Sequence, residues 1–248
     1  MRFLILSDIH SNVEAFEACV QRAKQAGYDS VLCCGDIVGY GPNPIEAIAG
    51  IQRLNAVTIR GNHDRVAAGL DEPTQFNPHA RRAVYWTRSM LSDGSREYLA
   101  GLPLGPLEVA PEAQLCHGAL THEDDYIFTE ADADENFLLA AKPITFFGHS
   151  HFPVVFSSDG IENSVQAMTY EFDEFVAVKC EGGKKLLVNP GAVGQPRDGD
   201  PRASFAIWDS DRARIEFYRV EYDLKSTQQK MRAADLPSYL IDRLAHGR

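Results

Sequence analysis

The chain has 248 residues, with 24 Lys and Arg against 35 Asp and Glu, for a formal net charge of −11. That length supports a substantial core, and the acidic balance disfavours nonspecific binding to nucleic acid or to an anionic membrane, although bound divalent cations reverse the field locally. No apolar run approaches the roughly 18 residues of a transmembrane helix, so no membrane partner is expected.

The N-terminal run Phe3 to Ser7 is too short for a signal sequence and leads straight into Asp8 and His10, which makes it a first buried strand. Val13, Phe16, Val20 and Ala23 then recur at helical spacing until Gly27. Ser30 to Cys34 is a second buried strand, Asn43-Pro44 caps a helix through Leu54, and Ala56 to Arg60 is a third strand. Strands separated by helices of this length predict right-handed crossovers and a parallel sheet. The stretch 66–75 reads as a loop, and Asn77-Pro78 starts a helix to about Leu91 with Ala80, Val84 and Thr87 on one stripe. Three prolines and two glycines in 101–111 predict a turn.

Strands at Gln114 to Cys116 and Ile144 to Phe147 each deliver a histidine at or just past their end. Beyond them lie β runs at Pro153 to Phe156, Phe175 to Lys179, Lys185 to Val188, Ser204 to Trp208 and Ile215 to Val220. Hairpin turns at Asp159-Gly160, Gly182-Gly183 and Asp209 to Asp211 predict that these runs form a second, largely antiparallel sheet packed on the first. Leu236-Pro237-Ser238 breaks and recaps a polar C-terminal helix. The expected organisation is one domain over residues 1–248, with an inserted helical and loop segment near 65–93 and a helical tail near 224–248. The five cysteines are odd in number and lack disulfide or zinc-knuckle spacing, and Cys33 and Cys34 read as small buried hydrophobes. A reducing cytoplasm is the simplest compartment.

Five clusters of ligand-type residues follow these strands: Asp8-Ile9-His10, Gly35-Asp36, Gly61-Asn62-His63-Asp64, His117-Gly118 and Gly148-His149-Ser150-His151. In an extended segment residues i and i+2 share a side, so Asp8 with His10, and His149 with His151, are each expected to aim two donors at one place. Oxygen and imidazole donors in this number suit two divalent cations, a clamp for phosphoryl chemistry. Two such cations bring four positive charges and Asp8 and Asp36 return two, leaving a field suited to phosphoryl oxygens.

The order of these clusters resembles the calcineurin-like metallophosphoesterase superfamily over almost the whole chain. The flanking segments Gly35 to Pro44 and Asn189-Pro190-Gly191 are similar to its small bacterial phosphodiesterase branch. The resemblance implies an α/β fold, a two-sheet β-sandwich flanked by helices in four layers (α/β/β/α). It implies one metal held by Asp8, His10, Asp36 and His151, and another held by Asp36, Asn62, His117 and His149, with Asp36 bridging. Manganese is the metal it favours, while the donor types also admit Fe, Zn, Co or Ni. The expected reaction is hydrolysis of a phosphodiester by a metal-bridging hydroxide attacking phosphorus in line.

His63 is the expected catalytic residue, protonating the leaving oxygen or hydrogen-bonding the phosphate. Protein Ser/Thr phosphatases carry Gly-Asp-x-Val-Asp-Arg-Gly, whereas Gly39 and Tyr40 stand here where that second Asp and the Arg would be. The departure argues against a phosphoprotein substrate and leaves the partner of His63 open, with Asp64 a weak possibility. Asn12 either contacts phosphate, as the resemblance suggests, or caps the first helix. Arg197 either meets substrate phosphate or holds a turn through an ion pair. His79 and His122 read as surface with cleft lining as the alternative, and Tyr85 and Trp86 as helix packing. The expected partner is a small phosphorylated substrate, a nucleotide being one option. A phosphomonoesterase, a nucleotide pyrophosphohydrolase and a non-catalytic metal-binding scaffold are the rival readings. A long nucleic acid is disfavoured because an extended polyanion needs a basic groove and the chain is acidic. Loops 39–44, 65–79 and 119–129 are expected to set specificity, and the sequence leaves oligomeric state open.

Overall fold

The computed structural model describes residues 1–160, 164–169, 173–180 and 182–248. The first third of the chain runs β1 (Arg2–Leu6), α1 (Val13–Ala26), β2 (Ser30–Cys33), α2 (Pro44–Arg53), β3 (Val57–Thr58), α3 (Asn62–Ala67), α4 (Pro78–Met90) and α5 (Asp93–Ala100). It continues through β4 (Leu107–Ala110), β5 (Ala113–Leu115), α6 (Glu130–Leu139), β6 (Ile144–Phe146), β7 (Pro153–Ser158) and β8 (Gln166–Met168). The remainder is β9 (Phe175–Lys179), β10 (Lys185–Pro190), β11 (Ala203–Asp209), β12 (Arg214–Val220), α7 (Leu224–Ala233) and α8 (Ser238–Leu244).

Strand β1 shows how four layers arise from a two-residue period. Phe3 and Ile5 point between the two sheets, where they meet Phe146, Val188, Trp208 and Phe217. Leu4 and Leu6 point the other way, onto Phe16 and Ala23 of α1 and Ile48 and Ile51 of α2. On the far side, Phe147, Phe156 and Leu187 of the second sheet are covered by Ala133 and Phe137 of α6. Each strand buried on both faces therefore reads as a continuous apolar run. A separate cluster joins Ala80 and Ala83 of α4 to Met231 of α7 and Leu240, Ile241 and Leu244 of α8, with Tyr40 between them.

Both sheets have six strands, in the orders β3-β2-β1-β11-β12-β9 and β4-β5-β6-β10-β7-β8. The expected sandwich flanked by helices is present. The expected separation into a parallel and an antiparallel sheet is not, because each sheet is mixed. In the first, β1, β2 and β3 pair in parallel while β11, β12 and β9 add antiparallel. In the second, β5, β6 and β10 are parallel and β4, β7 and β8 antiparallel. The C-terminal strands are dealt to both sheets, and local alternation carries no information about which sheet a hairpin joins.

Three local expectations also shift. The helix containing His63 extends to Ala67 because Asp64 accepts the Gly61 N–H and caps it. Residues 107–110, expected as turn, form edge strand β4, with a register shift between Glu108 and Ala110. Helices α5 and α6 begin on the caps Ser92 and Thr129, neither of which had been read as a helix start. No helix of the described residues is long and apolar enough to cross a membrane.

Candidate metal centre

Four of the ligand-type clusters lie on the loops leaving the C-terminal ends of β1, β2, β5 and β6, and the one after β3 opens helix α3, so strands of both sheets bring them to one rim. Their convergence does not come from strand alternation as expected. Asp8, His10, Asp36, His149 and His151 all have positive φ, between 48° and 64°. Each such conformation costs a non-glycine residue about 1–2 kcal/mol and persists only where the surroundings hold it. The loops leave the strands and curl left-handed, which separates His149 and His151 instead of aiming both at one point. Glycines make room for the curl: a Cβ on Gly61 would lie 2.0 Å from Asp36 Oδ1, and one on Gly148 would lie 1.9 Å from Ser7 Oγ.

The side chains gather into three groups whose ligand atoms lie within 4.8 Å of one another: Asp8, His10 and His151; His10, Asp36 and His63; and Asp36, His117 and His149. Asp36 belongs to two of them, with Oδ2 at 3.6 Å from His10 Nε2 and 3.5 Å from His117 Nε2. Asn62 Oδ1 joins the last group at 3.1 Å from His117 Nε2. All seven expected ligands are buried.

The outward nitrogens of these rings are already committed. His10 Nδ1 donates to Val38 O at 3.1 Å, His117 Nδ1 to Cys34 O at 2.8 Å, His151 Nδ1 to Gln195 O at 2.5 Å and His149 Nε2 to Asp124 O at 3.1 Å. In neutral rings each inward nitrogen then carries a lone pair. His10 Nε2 and His151 Nε2 face each other at 3.2 Å, with Asp8 Oδ1 at 3.3 Å from the latter. Lone pairs aimed at one another are repulsive until a cation lies among them, and a backbone carbonyl behind each ring is the arrangement that orients metal-binding histidine. The donor set therefore fits divalent metal.

Electrostatics favour the same occupant. Burial pushes His10 and His151 below the ordinary imidazole value, and brings His149 down to about 3 and His63 down to about 4. Burial also presses Asp8 and Asp36 upward, but the surrounding imidazoles hold both below the usual carboxylate range, with His151 the chief influence on Asp8 and His117 on Asp36. At His117 burial is the largest single influence and lowers the pKa. The combined pull of Asp36, Asp8 and the Cys34 carbonyl outweighs it and raises the group to about 10. A positive charge is favoured at His117 Nε2, whether a proton or a metal ion supplies it.

His63 stands at the edge of the cluster. Its backbone N–H donates to Asp36 Oδ1 at 2.9 Å, while its ring Nδ1 is buried without a protein partner. Tyr40, Phe76 and His10 surround the ring at centroid distances of 4.4, 4.6 and 4.9 Å. Asp64 does not orient it, since both Asp64 oxygens accept backbone N–H groups, from Val38 and Gly61. A Cβ at Gly39 would come within 2.4 Å of His63 Nδ1, so the ring fills the space that a larger residue there would take.

Asn12 caps α1, accepting from Ala15 N at 3.2 Å and donating to Gly194 O at 3.0 Å. Arg197 lines the cavity beside the cluster, bonding Gln195 Oε1 at 3.1 Å and Tyr40 Oη at 3.4 Å, and it makes no ion pair among the described residues. His79 stacks on Tyr239, and His122 is exposed at a separate hollow.

Two supports were missed in the sequence. Tyr126 stacks on His149 at 4.0 Å, and Asn189 ties down the His149 loop by donating to Gly148 O and Ser150 Oγ. The Asn189-Pro190-Gly191 segment was the signal for the second. The carbonyl that holds His149 belongs to Asp124, whose carboxylate pairs with Arg65 Nη2 at 2.7 Å, and Glu123 also pairs with Arg65. Arg65→Met is expected to loosen this loop and weaken metal binding about 10–100-fold, with partial recovery in Arg65→Lys. Metal titration of both variants checks this, and unchanged affinity in Arg65→Met would exclude the positioning role.

A family model for the calcineurin-like phosphoesterase superfamily domain matches residues 1–213. An uncharacterized protein of Methanocaldococcus jannaschii is 37% identical over 98% of this chain and 97% of its own length. The crystal structure of a metallophosphoesterase from Sphaerobacter thermophilus has a TM-score of 0.88 and 38% identity, with both chains covered fully. A hypothetical protein from Pyrococcus horikoshii shares the fold, at a TM-score of 0.80 and 23% identity over 100% of this chain and 98% of that one. The architecture is that of the metallophosphoesterases. The chain belongs to the calcineurin-like phosphoesterase superfamily, and that membership makes it a phosphoester hydrolase.

Proposed function

We propose that the protein is a phosphodiesterase acting on a small substrate with two divalent cations. One cation would be held by Asp8, His10, Asp36 and His151, the other by Asp36, Asn62, His117 and His149. The observation that carries this reading is the convergence of inward lone pairs, with Asp36 Oδ2 within 3.6 Å of ring nitrogens in both groups. When bound, the cations would offset charge on phosphoryl oxygens and bring the pKa of water toward about 7. Imidazole and carboxylate donors suit Mn, and equally admit Fe, Zn, Co or Ni.

The chain's own residues divide the remaining work. His63, neutral above its depressed pKa, donates an N–H to a phosphoryl oxygen or to the leaving oxygen as charge develops there. Arg197 offers a planar guanidinium to a substrate phosphate from the wall of the same cavity. Asn12 holds the Gly194 carbonyl through its amide, and any phosphate contact it makes comes through the remaining amide hydrogen. The cavity of about 270 Å³ holds a small molecule, not a duplex. Five free cysteines, four of them buried, support a reducing cytoplasm.

Hydrolysis of bis-p-nitrophenyl phosphate and of p-nitrophenyl phosphate by metal-stripped protein with Mn restored tests the proposal. Metal-dependent cleavage favouring the diester is expected. Preference for the monoester would replace the diesterase reading with a phosphomonoesterase. Absence of cleavage with every one of the five metals would leave the scaffold reading standing in its place.

A further inference from the structure

The cavity at the metal-type cluster opens outward into a second one. The inner space is bounded by Asn62, His149, Tyr40, Tyr126 and Arg197 among others. The outer space, of about 450 Å³, shares Tyr40, Tyr126 and Arg197 with it and adds His79, Tyr239 and Arg243. The two new walls come from α4 and α8, which the apolar cluster around Tyr40 and Leu244 locks together. His79 and Tyr239 stack at 4.8 Å, and the Arg243 guanidinium lies 5.5 Å from the centre of the Tyr239 ring.

The charge of this outer space stands apart from that of the chain. Many of the other arginines pair with the abundant acids, as Arg2 does with Asp209 and Glu216, Arg88 with Glu72 and Arg202 with Asp200. Among the described residues no Asp or Glu carboxylate lies within ion-pair distance of Arg197 or Arg243. Arg197 Nε is buried without any partner, and Arg243 gives its Nε to the main-chain oxygen of Arg248, the last residue of the sequence. Burial, and then the charge of Arg197, press the Arg243 guanidinium below its ordinary value. Burial presses Arg197 down, but Tyr40, Tyr126 and Asp8 hold it above its ordinary value, so the cost falls on Arg243, and an anion beside both guanidinium groups relieves it.

We propose that the outer cavity is a second anion subsite, and that the substrate is a nucleotide carrying a further phosphate beyond the one at the metal centre. Arg197 and Arg243 hold that phosphate, and the base packs against the aromatic wall of Tyr126, His79 and Tyr239. A flat ring suits this wall because its faces meet the edges of rings already stacked in pairs, His79 on Tyr239 and Tyr126 on His149, without needing a particular hydrogen-bond pattern. This assignment rests on the phosphoesterase reading of the inner site.

Calorimetric titration of the Mn-loaded full chain with ADP and with AMP tests it, beside hydrolysis of bis-p-nitrophenyl phosphate by the same preparation. Wild type is expected to bind ADP ~10-fold or more tighter than AMP, and Arg243→Ala to bring the two within ~3-fold, while Arg243→Lys keeps part of the preference. Tyr239→Leu is expected to weaken both nucleotides together. Because α8 is packed on α4, melting curves of each variant accompany the titrations, and Arg243→Lys carries the test if Arg243→Ala does not fold. Equal binding of ADP and AMP by wild type, or an ADP preference untouched in Arg243→Ala and in Arg243→Lys, would overturn the subsite. An ADP preference lost with Arg243 while no phosphoester is cleaved would instead sink the inner-site reading and leave the subsite standing.

Discussion

Asp36→Asn is expected to lower hydrolysis of bis-p-nitrophenyl phosphate by ~10³-fold or more and to reduce bound metal from two equivalents to at most one. Asp36 is the one carboxylate positioned between both donor groups, with Oδ2 3.6 Å from His10 Nε2 and 3.5 Å from His117 Nε2. Asparagine keeps the carbonyl oxygen that accepts the His63 N–H but loses the negative charge. That charge is what offsets two cations a few ångströms apart, so its loss leaves them repelling across a neutral amide. Removing the charge also removes the chief pull that raises His117, so its Nε2 would hold a proton less tightly in metal-free protein.

The apolar layers on both sides of β2 do not involve the Asp36 side chain, so the melting temperature of metal-free protein should change little. Metal content after gel filtration, measured beside activity, decides the matter. Two retained equivalents with near-normal turnover would rule out Asp36 as the shared ligand, and loss of folded protein would move its role from the metals to the loop between β2 and α2.

The ligand set was readable in the sequence because its clusters follow short continuous apolar runs, the pattern of strands buried on both faces. The helix starts at Asn12 and Asn77-Pro78 were readable for a similar reason, since a side-chain cap announces itself within three residues. What failed was the geometry joining these pieces. Strand alternation would bring Asp8 beside His10, yet both adopt left-handed conformations that no alternation rule contains. The same curl sends His149 and His151 to different groups. The allocation of β7 to β12 between two sheets was hidden because a hairpin looks alike whichever sheet it joins. Tyr126 and Arg243 carried no signal at all: one reaches His149 from a loop, and the other comes from the last helix to a cavity shared with Arg197. Contacts between segments distant in sequence leave no periodicity.

His63→Ala is expected to lower kcat ~10²-fold or more while both metal equivalents remain. The ring lies within reach of His10 and Asp36, so the geometry also allows it to be a ligand, and the variant separates the two roles. Three features favour a donor to substrate. Its Nδ1 has no protein partner, whereas His10, His117, His149 and His151 each brace one ring nitrogen on a backbone carbonyl. Its other neighbours are the rings of Tyr40 and Phe76, which restrain it without orienting a lone pair. Gly39 leaves no carboxylate beside it, and a side chain there would collide with Nδ1. The depressed pKa of about 4, which burial causes, sets the sign of the pH effect. His63 is protonated only below that value, so its neutral N–H is present throughout the range from pH 5 to pH 8. The wild-type profile should therefore show no limb near pH 6–7 that His63→Ala abolishes. Such a limb would mean that protonated His63 acts as a general acid, and loss of a metal equivalent in His63→Ala would make it a ligand instead.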